Sequence, residues 1–518
     1  MLVKTFGSAV YGVEAITITV EVNVTEGLHT FVVGLADSAV KESIQRTESA
    51  IKSNGYYMPR TKIVINLAPA GIRKYGSAFD LPIAVGILAA SGQIRAAEKI
   101  REFVIMGELG LDGAIQPIKG TLPIAIQTSK EGFKGLIVPG QNAGEAAIVK
   151  QLKVHAFDHL RGVIDFFTGA ATGETPVSGA VDGLPGMMPS IDVDFSEVKG
   201  QENIKRAMEI SAAGGHNAIM IGPPGSGKTM LARRLPTILP PLSFQEALET
   251  TKIHSVAGKL PPHTTLLSQR PFRSPHHTIS GMALVGGGSI PQPGEISLAH
   301  NGVLFLDELP EFNRNTLEVL RQPMEDRKVT VSRAKLSLEF PSSFILVASM
   351  NPCPCGYYNH PDKVCTCPPG AVLKYLNRIS GPLLDRIDLH MEVLPVTYEK
   401  LSAGGPAEGS AAIRARVMAA REIQRQRYSA GAASTNPVIY CNAQISGRLL
   451  QQSCRIDTAG ERLLRNAMQK LKLSGRAHDH ILKISRTIAD LSGAGEIGAD
   501  HIAEAIQFRS LDREEWAG

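Results

Sequence analysis

The stretch Gly222–Thr229 reads GPPGSGKT. A glycine, four residues, a second glycine, a lysine and a hydroxyl residue make the phosphate-binding loop pattern. Its flanks carry the reading further. Asn217–Ile221 (NAIMI) is a short apolar run that suits a buried strand. A helix opens at Met230 and is expected to stop by Pro236. Strand, Gly-rich loop and helix together aim main-chain N–H groups and the positive end of a helix dipole at phosphate oxygens. Gly222, Gly225 and Gly227 allow that close backbone approach, with Pro223, Pro224 and Ser226 completing the loop. Lys228 is expected to reach the β- and γ-phosphates of ATP, and the Thr229 hydroxyl to hold Mg²⁺.

Downstream, Val303–Glu308 (VLFLDE) supplies the second half of such a site. Four apolar residues form a buried strand and two carboxylates emerge at its end. Asp307 is placed for the Mg²⁺ shell and Glu308 for polarising an attacking water. Phe344–Ser349 (FILVAS) reads as a third buried strand, with Asn351 just beyond it. Asn351 is either a residue that helps position the water or a simple turn residue before Pro352.

Four of the six cysteines fall within fifteen residues, as Cys353-x-Cys355, nine residues, then Cys365-x-Cys367. Two tight pairs across a short loop can offer four thiolates to a structural Zn²⁺. The single residue inside each pair departs from the usual spacing of two to four. His360 is a possible substitute ligand. Cys441 and Cys454 read as ordinary buried residues.

The chain of 518 residues is long enough for about three domains. Its 43% apolar content permits sizeable cores, and a net charge of +5 is compatible with a nucleic-acid partner without requiring one. No apolar run approaches the ~20 residues that span a bilayer, so no membrane partner is expected. The N-terminus lacks a signal-peptide pattern, and clustered thiols suit a reducing compartment, so a cytoplasmic location is expected. Residues 1–168 read as a mixed α/β domain: Ala15–Val24 alternates as a half-buried strand, and Asp80 is expected to cap a helix carrying Pro82 in its first turn. Residues 169–190 are rich in Gly, Pro, Ser and Thr and read as a linker. Residues 191–400 hold the nucleotide motifs and the cysteine pairs. Residues 401–518 begin with a flexible stretch and continue as helices. Within Ile413–Arg427, Arg414, Arg421 and Arg425 share one helical face, which is either solvated or a polyanion contact.

Several stretches resemble known families. Gly107–Gly120 (GELGLDGAIQPIKG), Gly135–Asn142 (GLIVPGQN) and Lys74–Asp80 (KYGSAFD) resemble the proteolytic domain of Lon-type proteases, a ribosomal S5 domain 2-like α/β fold. Those enzymes use a Ser–Lys dyad, but the matching positions here are Ala78 and Leu122, with Ser77 and Lys119 nearby. The resemblance implies the fold without the protease. Asp192–Gln201 (DVDFSEVKGQ) resembles the AAA+ element that lines the adenine pocket, which points to Val198, Gly200 and Gln201. Gly381–Leu389 (GPLLDRIDL) resembles the AAA+ arginine-finger segment. Arg386 would then act on the nucleotide of a neighbouring subunit, unless it is a surface arginine paired with Asp385 or Asp388. Arg476 matches the second-sensor position of AAA+ helical lids.

Arg270–Gly288 (RPFRSPHHTISGMALVGGG) reads as an exposed loop or hairpin, and Asp326–Glu339 (DRKVTVSRAKLSLE) as a basic hairpin turning near Ser332–Ala334. Both insertions, with Pro293–Phe312, resemble the magnesium-chelatase and MCM branch of AAA+ ATPases. There such hairpins face a ring channel, which makes Arg327, Lys328, Arg333 and Lys335 the candidate DNA contacts; a merely solvated hairpin is the alternative. End to end, with FRSPHH and PCPCG as its specific motifs, the chain resembles the YifB/ComM family of magnesium-chelatase-like AAA+ ATPases. The resemblance implies a ring, a hexamer, that hydrolyses ATP with Mg²⁺ and acts as a DNA helicase or branch-migration motor on single-stranded or branched DNA without sequence preference. A chelatase-type ATPase that remodels a protein partner, and an ATP-dependent protease, are the other readings.

Overall fold

Alternating β-branched residues build the centre of a seven-stranded sheet. Strands Leu2–Tyr11 and Glu14–Thr25 pair antiparallel from Leu2 opposite Asn23 to Tyr11 opposite Glu14. The strand order is Thr30–Val33, Lys62–Ala68, Glu14–Thr25, Leu2–Tyr11, Phe103–Ile105, Gly135–Pro139, Lys153–Phe157. The structure, a computed structural model, describes residues 1–170, 177, 193–261, 264–288, 291–333, 336–396, 407–429 and 439–509, excluding the side chains of 333 and 336. Most of the expected linker 169–190 and the stretch 401–406 therefore lie outside the described residues, as does Lys335. Helix Asp80–Ala90 buries every residue against this sheet. Its N-cap is Phe79, not Asp80. The Asp80 side chain turns inward instead and takes two bonds from Arg46, at 2.6 and 3.0 Å, and one from the Leu109 N–H at 3.2 Å. A buried carboxylate needs such partners, and that demand overrides the capping preference.

The second sheet is wholly parallel and positions the nucleotide motifs. Its order is Phe272–Arg273, Val303–Leu306, Ile345–Met350, Ala218–Ile221, Leu389–Glu392. Every residue of the Val303–Leu306, Ile345–Met350 and Ala218–Ile221 strands is buried, as expected of strands covered on both faces. Because the strands run the same way, the phosphate loop, Asp307 and Asn351 all emerge at one carboxyl edge, where open α/β sheets bind ligands. The helix after the loop, Lys228–Ile238, continues through Pro236 rather than ending there. Leu235 before the proline and Thr237 and Ile238 beyond it are buried, and that burial offsets one missing main-chain bond.

The stretch 270–288 is not simply an exposed loop. Phe272 and Arg273 pair with Val303 and Leu304 as the edge strand. Arg270 is anchored to Glu246 at 3.0 Å and to the carbonyls of Pro240 and Asn301 at 2.6 and 2.7 Å. The remainder forms helix Gly281–Val285 and a short hairpin, Gly286–Gly287 with Gln292–Pro293. Lys328–Arg333 and Leu336–Pro341 make the second hairpin, with Arg333 opposite Leu336. Helices Ser410–Ser429, Thr458–Lys470, Gly475–Leu491 and Ala499–Gln507 share one apolar core with helix Glu202–Gly214 and the parallel sheet. No described helix is long and apolar enough to cross a membrane.

Candidate nucleotide site

Lys228 opens its helix and is almost wholly buried. Its ammonium donates to the carbonyls of Gly222 at 2.7 Å and Pro223 at 2.9 Å, and to Asn351 Oδ1 at 3.2 Å. Burial lowers its pKa, opposed by the negative charges of Asp307 and Glu308. Thr229 Oγ1 donates to Asp307 Oδ2 at 2.8 Å. The other Asp307 oxygen accepts from Ser349 Oγ and, at 3.1 Å, from the Glu308 N–H. Asp307 is thus fixed from three sides with its carboxylate beside the Thr229 hydroxyl, which is the donor set a Mg²⁺ ion with retained waters uses.

Glu308 adopts a left-handed backbone, φ 54°, which an L-residue rarely takes. The strand ends abruptly there and leaves the Glu308 carboxylate half-exposed, 3.5 Å from His277 Nδ1. His277 belongs to the FRSPHH motif, which the sequence marked without giving it a role. Ser349, read only as strand, is the other contributor that sequence reasoning missed.

Val198 is buried, while Gly200 and Gln201 both have positive φ, 65° and 57°. Gln201 Nε2 donates to the Ser226 carbonyl at 3.0 Å and the Leu394 carbonyl at 3.3 Å, tying this element to the phosphate loop. Its Oε1 is buried with no hydrogen-bond partner, an acceptor suited to a base amino group. At Gly222 a Cβ would lie 2.3 Å from the Val393 carbonyl, so only glycine fits where the loop crosses the Leu389–Glu392 strand end.

Arg386 and Arg476 meet on one carboxylate. Glu325 Oε1 takes Arg386 Nη2 at 2.8 Å and Arg476 Nη2 at 2.7 Å. Arg386 pairs with neither Asp385 nor Asp388; Asp388 is buried against His480 and His216. The Arg386 Nε has no partner.

The four thiols Cys353, Cys355, Cys365 and Cys367 gather with their sulfurs all within 4.8 Å of one another. Three sulfur–sulfur distances are 3.3, 3.7 and 3.5 Å. A tetrahedron with Zn–S bonds of ~2.3 Å has edges of about 3.8 Å, so the group fits the ion. His360 stands aside, its Nδ1 accepting from the N–H groups of Asp362 and Lys363.

Of the hairpin cations, Lys328 is exposed and pairs with Glu339 at 3.1 Å. Arg327 precedes the strand in a left-handed turn, φ 55°, and points inward to Ser343 Oγ at 3.0 Å. The shared arginine face of helix Ser410–Ser429 divides. Arg414 binds the Thr237 carbonyl and Arg421 the Ala212 carbonyl, both at 2.9 Å, while Arg425 pairs with Glu422 on its own helix. In the first sheet's region, Leu122 is fully buried, and Ser77 donates to Glu108 rather than to a lysine.

Comparison with known proteins agrees with this arrangement. Family models for the magnesium chelatase subunit ChlI match residues 194–401 and 20–142, and the model for the C-terminal part of that subunit matches 407–509. The chain is 44% identical over 507 residues to the uncharacterized protein YifB of Escherichia coli, covering 98% of this chain and 96% of that one. It is 42% identical over 511 residues to competence protein ComM of Haemophilus influenzae, covering 98% and 97%. A shorter match, 32% identical over 159 residues, relates 28% of the chain to 27% of Lon protease 2 of Bacillus subtilis. With full-length identity at this level and a phosphate loop, carboxylate pair and cysteine cluster on an AAA+ type fold, the chain belongs to the YifB/ComM family of magnesium-chelatase-like AAA+ proteins.

Proposed function

We propose that this chain is a ring-forming ATPase that moves along DNA as a helicase or branch-migration motor, acting in DNA uptake or recombination. The observation that carries the ATPase half is the convergence of Lys228, Thr229, Asp307 and Asn351 on the edge of the parallel sheet. Lys228 exchanges its loop carbonyls for phosphate oxygens. Thr229 and Asp307 hold Mg²⁺, which neutralises charge on the phosphates when bound. Glu308 orients and deprotonates water, and Asn351 assists in placing it. Gln201, Val198 and Gly200 receive the base. Arg386 serves a neighbour's nucleotide as arginine finger, and Arg476 acts as second sensor from a helical lid. The cysteine cluster holds one structural Zn²⁺.

The DNA half rests on the competence name of a relative matched along its whole length, on the net charge of +5, and on the basic hairpin. Like charges from several subunits around one channel favour a polyanion there. Lys328, Arg333 and Lys335 contact phosphates without reading sequence, so binding weakens steeply with salt. The test is DNA binding and ATPase rate with and without branched DNA, for wild type and for Arg333→Ala with Lys335→Ala. The double variant is expected to lose DNA affinity, flatten the salt slope and keep its DNA-free ATPase. If the wild type with ATP shows no salt-sensitive DNA binding at low ionic strength, a protein-remodelling ATPase replaces the motor.

A further inference from the structure

A cavity with about 60 Å³ of free interior lies where the parallel sheet meets the C-terminal helices. Three arginines from distant parts of the chain line it: Arg270, Arg327 and Arg421. Tyr440 and Cys441 lie on the helical side, and Ser343 on the sheet side. The carboxylate in its lining is Glu246, and it is already taken by Arg270 at 3.0 and 3.3 Å and by the Ser243 N–H at 2.8 Å. Nearby carboxylates are committed elsewhere, Asp388 to His480 and Glu249 to His300.

Arg327 uses one of its five N–H donors, on the neutral Ser343 hydroxyl, and has no carboxylate partner among the described residues. Arg421 places three of its five on the carbonyls of Ala212 and Tyr440 and likewise has no carboxylate among them. Burial lowers the pKa of Arg327 and of Arg270; the negative charge of Glu246 opposes this at Arg270 and that of Cys441 and Asp388 at Arg327, while the charge of Arg421 lowers both. Arg327 and Arg421 are partly buried side by side with no carboxylate of their own among the described residues, which leaves like charges uncompensated, and their planar forks match tetrahedral oxyanions.

We infer that the Arg270–Arg327–Arg421 cavity is a second anion site, distinct from the phosphate loop, that takes one phosphate group. Arg327 and Arg421 supply the hydrogen bonds and the charge, beside an Arg270 already paired with Glu246. Arg327 leads directly into the basic hairpin through Lys328, and Arg421 belongs to the C-terminal helices, so the bound group would tie the two together. The phosphate is either free or part of a nucleic-acid strand; only the second case rests on the DNA reading above.

The test uses full-length protein saturated with Mg–ADP, so that the phosphate loop is filled. Inorganic phosphate binding is measured by equilibrium dialysis in phosphate-free, low-salt buffer, and oligo-dT binding by anisotropy over a salt series. The expected result is one phosphate per chain beyond the nucleotide, weakened about tenfold or more by Arg327→Gln and by Arg421→Gln, with Arg327→Lys, which keeps the charge but not the planar fork, falling between wild type and Arg327→Gln. Phosphate binding lost in these variants with oligo-dT unaffected assigns the free ion. Oligo-dT binding weakened by Arg327→Gln, with the salt slope reduced by about one, assigns a strand phosphate even where the free ion binds poorly. Arg421→Gln and Arg327→Lys carry the test should Arg327→Gln fail to fold. No phosphate beyond the nucleotide together with unchanged oligo-dT binding, or phosphate held equally by wild type and both glutamine variants, overturns the site. A protein that binds phosphate here but no DNA refutes the motor and leaves this inference standing.

Discussion

Lys228 is held by its own loop, donating to two carbonyls that cannot follow a phosphate. Nucleotide binding must replace those bonds with charge-assisted ones, which are worth roughly 1.5–3 kcal/mol each. Lys228→Ala is therefore expected to weaken ATP binding about ten- to a hundredfold in a nucleotide titration. Glu308→Gln keeps the side chain's size and touches no phosphate. It should bind ATP nearly as well as wild type and lose turnover by about a hundredfold or more, so that ATP persists on the protein. Equal loss of ATP binding in both variants would refute the assigned roles. Ser349→Ala removes a hydroxyl that fixes Asp307 and nothing that faces the nucleotide directly. At about 1 kcal/mol for that bond, Mg²⁺-dependent binding should fall about fivefold while Mg²⁺-independent binding holds. An unchanged Mg²⁺ dependence would show that Asp307 needs no such support. Lys228, Thr229 and the two carboxylates were legible because their spacing is set by the chemistry of a phosphate. Ser349 was not, because a small residue ending an apolar strand has no signature until the neighbouring strand places Asp307 beside it.

Elements are joined here through contacts that no local pattern announces. Gly356, inside the cysteine loop, has φ 86°, and a Cβ there would lie 2.5 Å from Pro224 Cδ of the phosphate loop. The cysteine loop thus forms one wall against which the phosphate loop rests. Metal binding orders such a loop by replacing several weak thiol contacts with strong bonds. Protein made without a metal-affinity tag should carry about one zinc per chain by elemental analysis. Its removal by a chelator should lower ATP affinity as well as stability. Gly356→Ala should lower ATP affinity severalfold while zinc content stays unchanged, which separates the packing from the metal. Zinc far below stoichiometric, with four thiols titratable in the native state, would end the idea. The cysteine spacing was plain in the sequence, yet its proximity to the phosphate loop was not, since it depends on adjacent strands 218–221 and 345–350 running parallel. The edge strand Phe272–Arg273 was hidden for a different reason. Two residues carry no period, and the flanking Arg270 looks like surface until Glu246 neutralises it inside.

On the scale of the whole molecule, the motifs were readable along the chain one stretch at a time. What brings their charged residues together was not. Arg386 and Arg476 lie ninety residues apart and converge on Glu325, which stands at the end of helix Arg321–Asp326, beside the basic hairpin. Both arginines are proposed to act on nucleotide in a ring, and while each is drawn to Glu325 its guanidinium faces that carboxylate rather than a phosphate. Glu325 and Arg476 are each nearly half exposed, so their pair contributes only about 0.2–1 kcal/mol; Arg386 is 11% exposed, and its pair, still open to water on the Glu325 side, contributes on the order of 1 kcal/mol. A clamp of that strength yields readily to a triphosphate, yet it delays the finger by a few-fold. Arg386→Ala is expected to bind ATP normally and lose turnover, and mixing it with Lys228→Ala should restore part of the activity, since some sites then combine an intact loop with an intact finger. Glu325→Ala should act in the opposite direction and raise turnover up to about fivefold at unchanged ATP affinity. Normal hydrolysis by Arg386→Ala alone would move the finger to another residue. If Glu325→Ala instead falls to the level of Arg386→Ala, Glu325 aims the finger rather than withholding it.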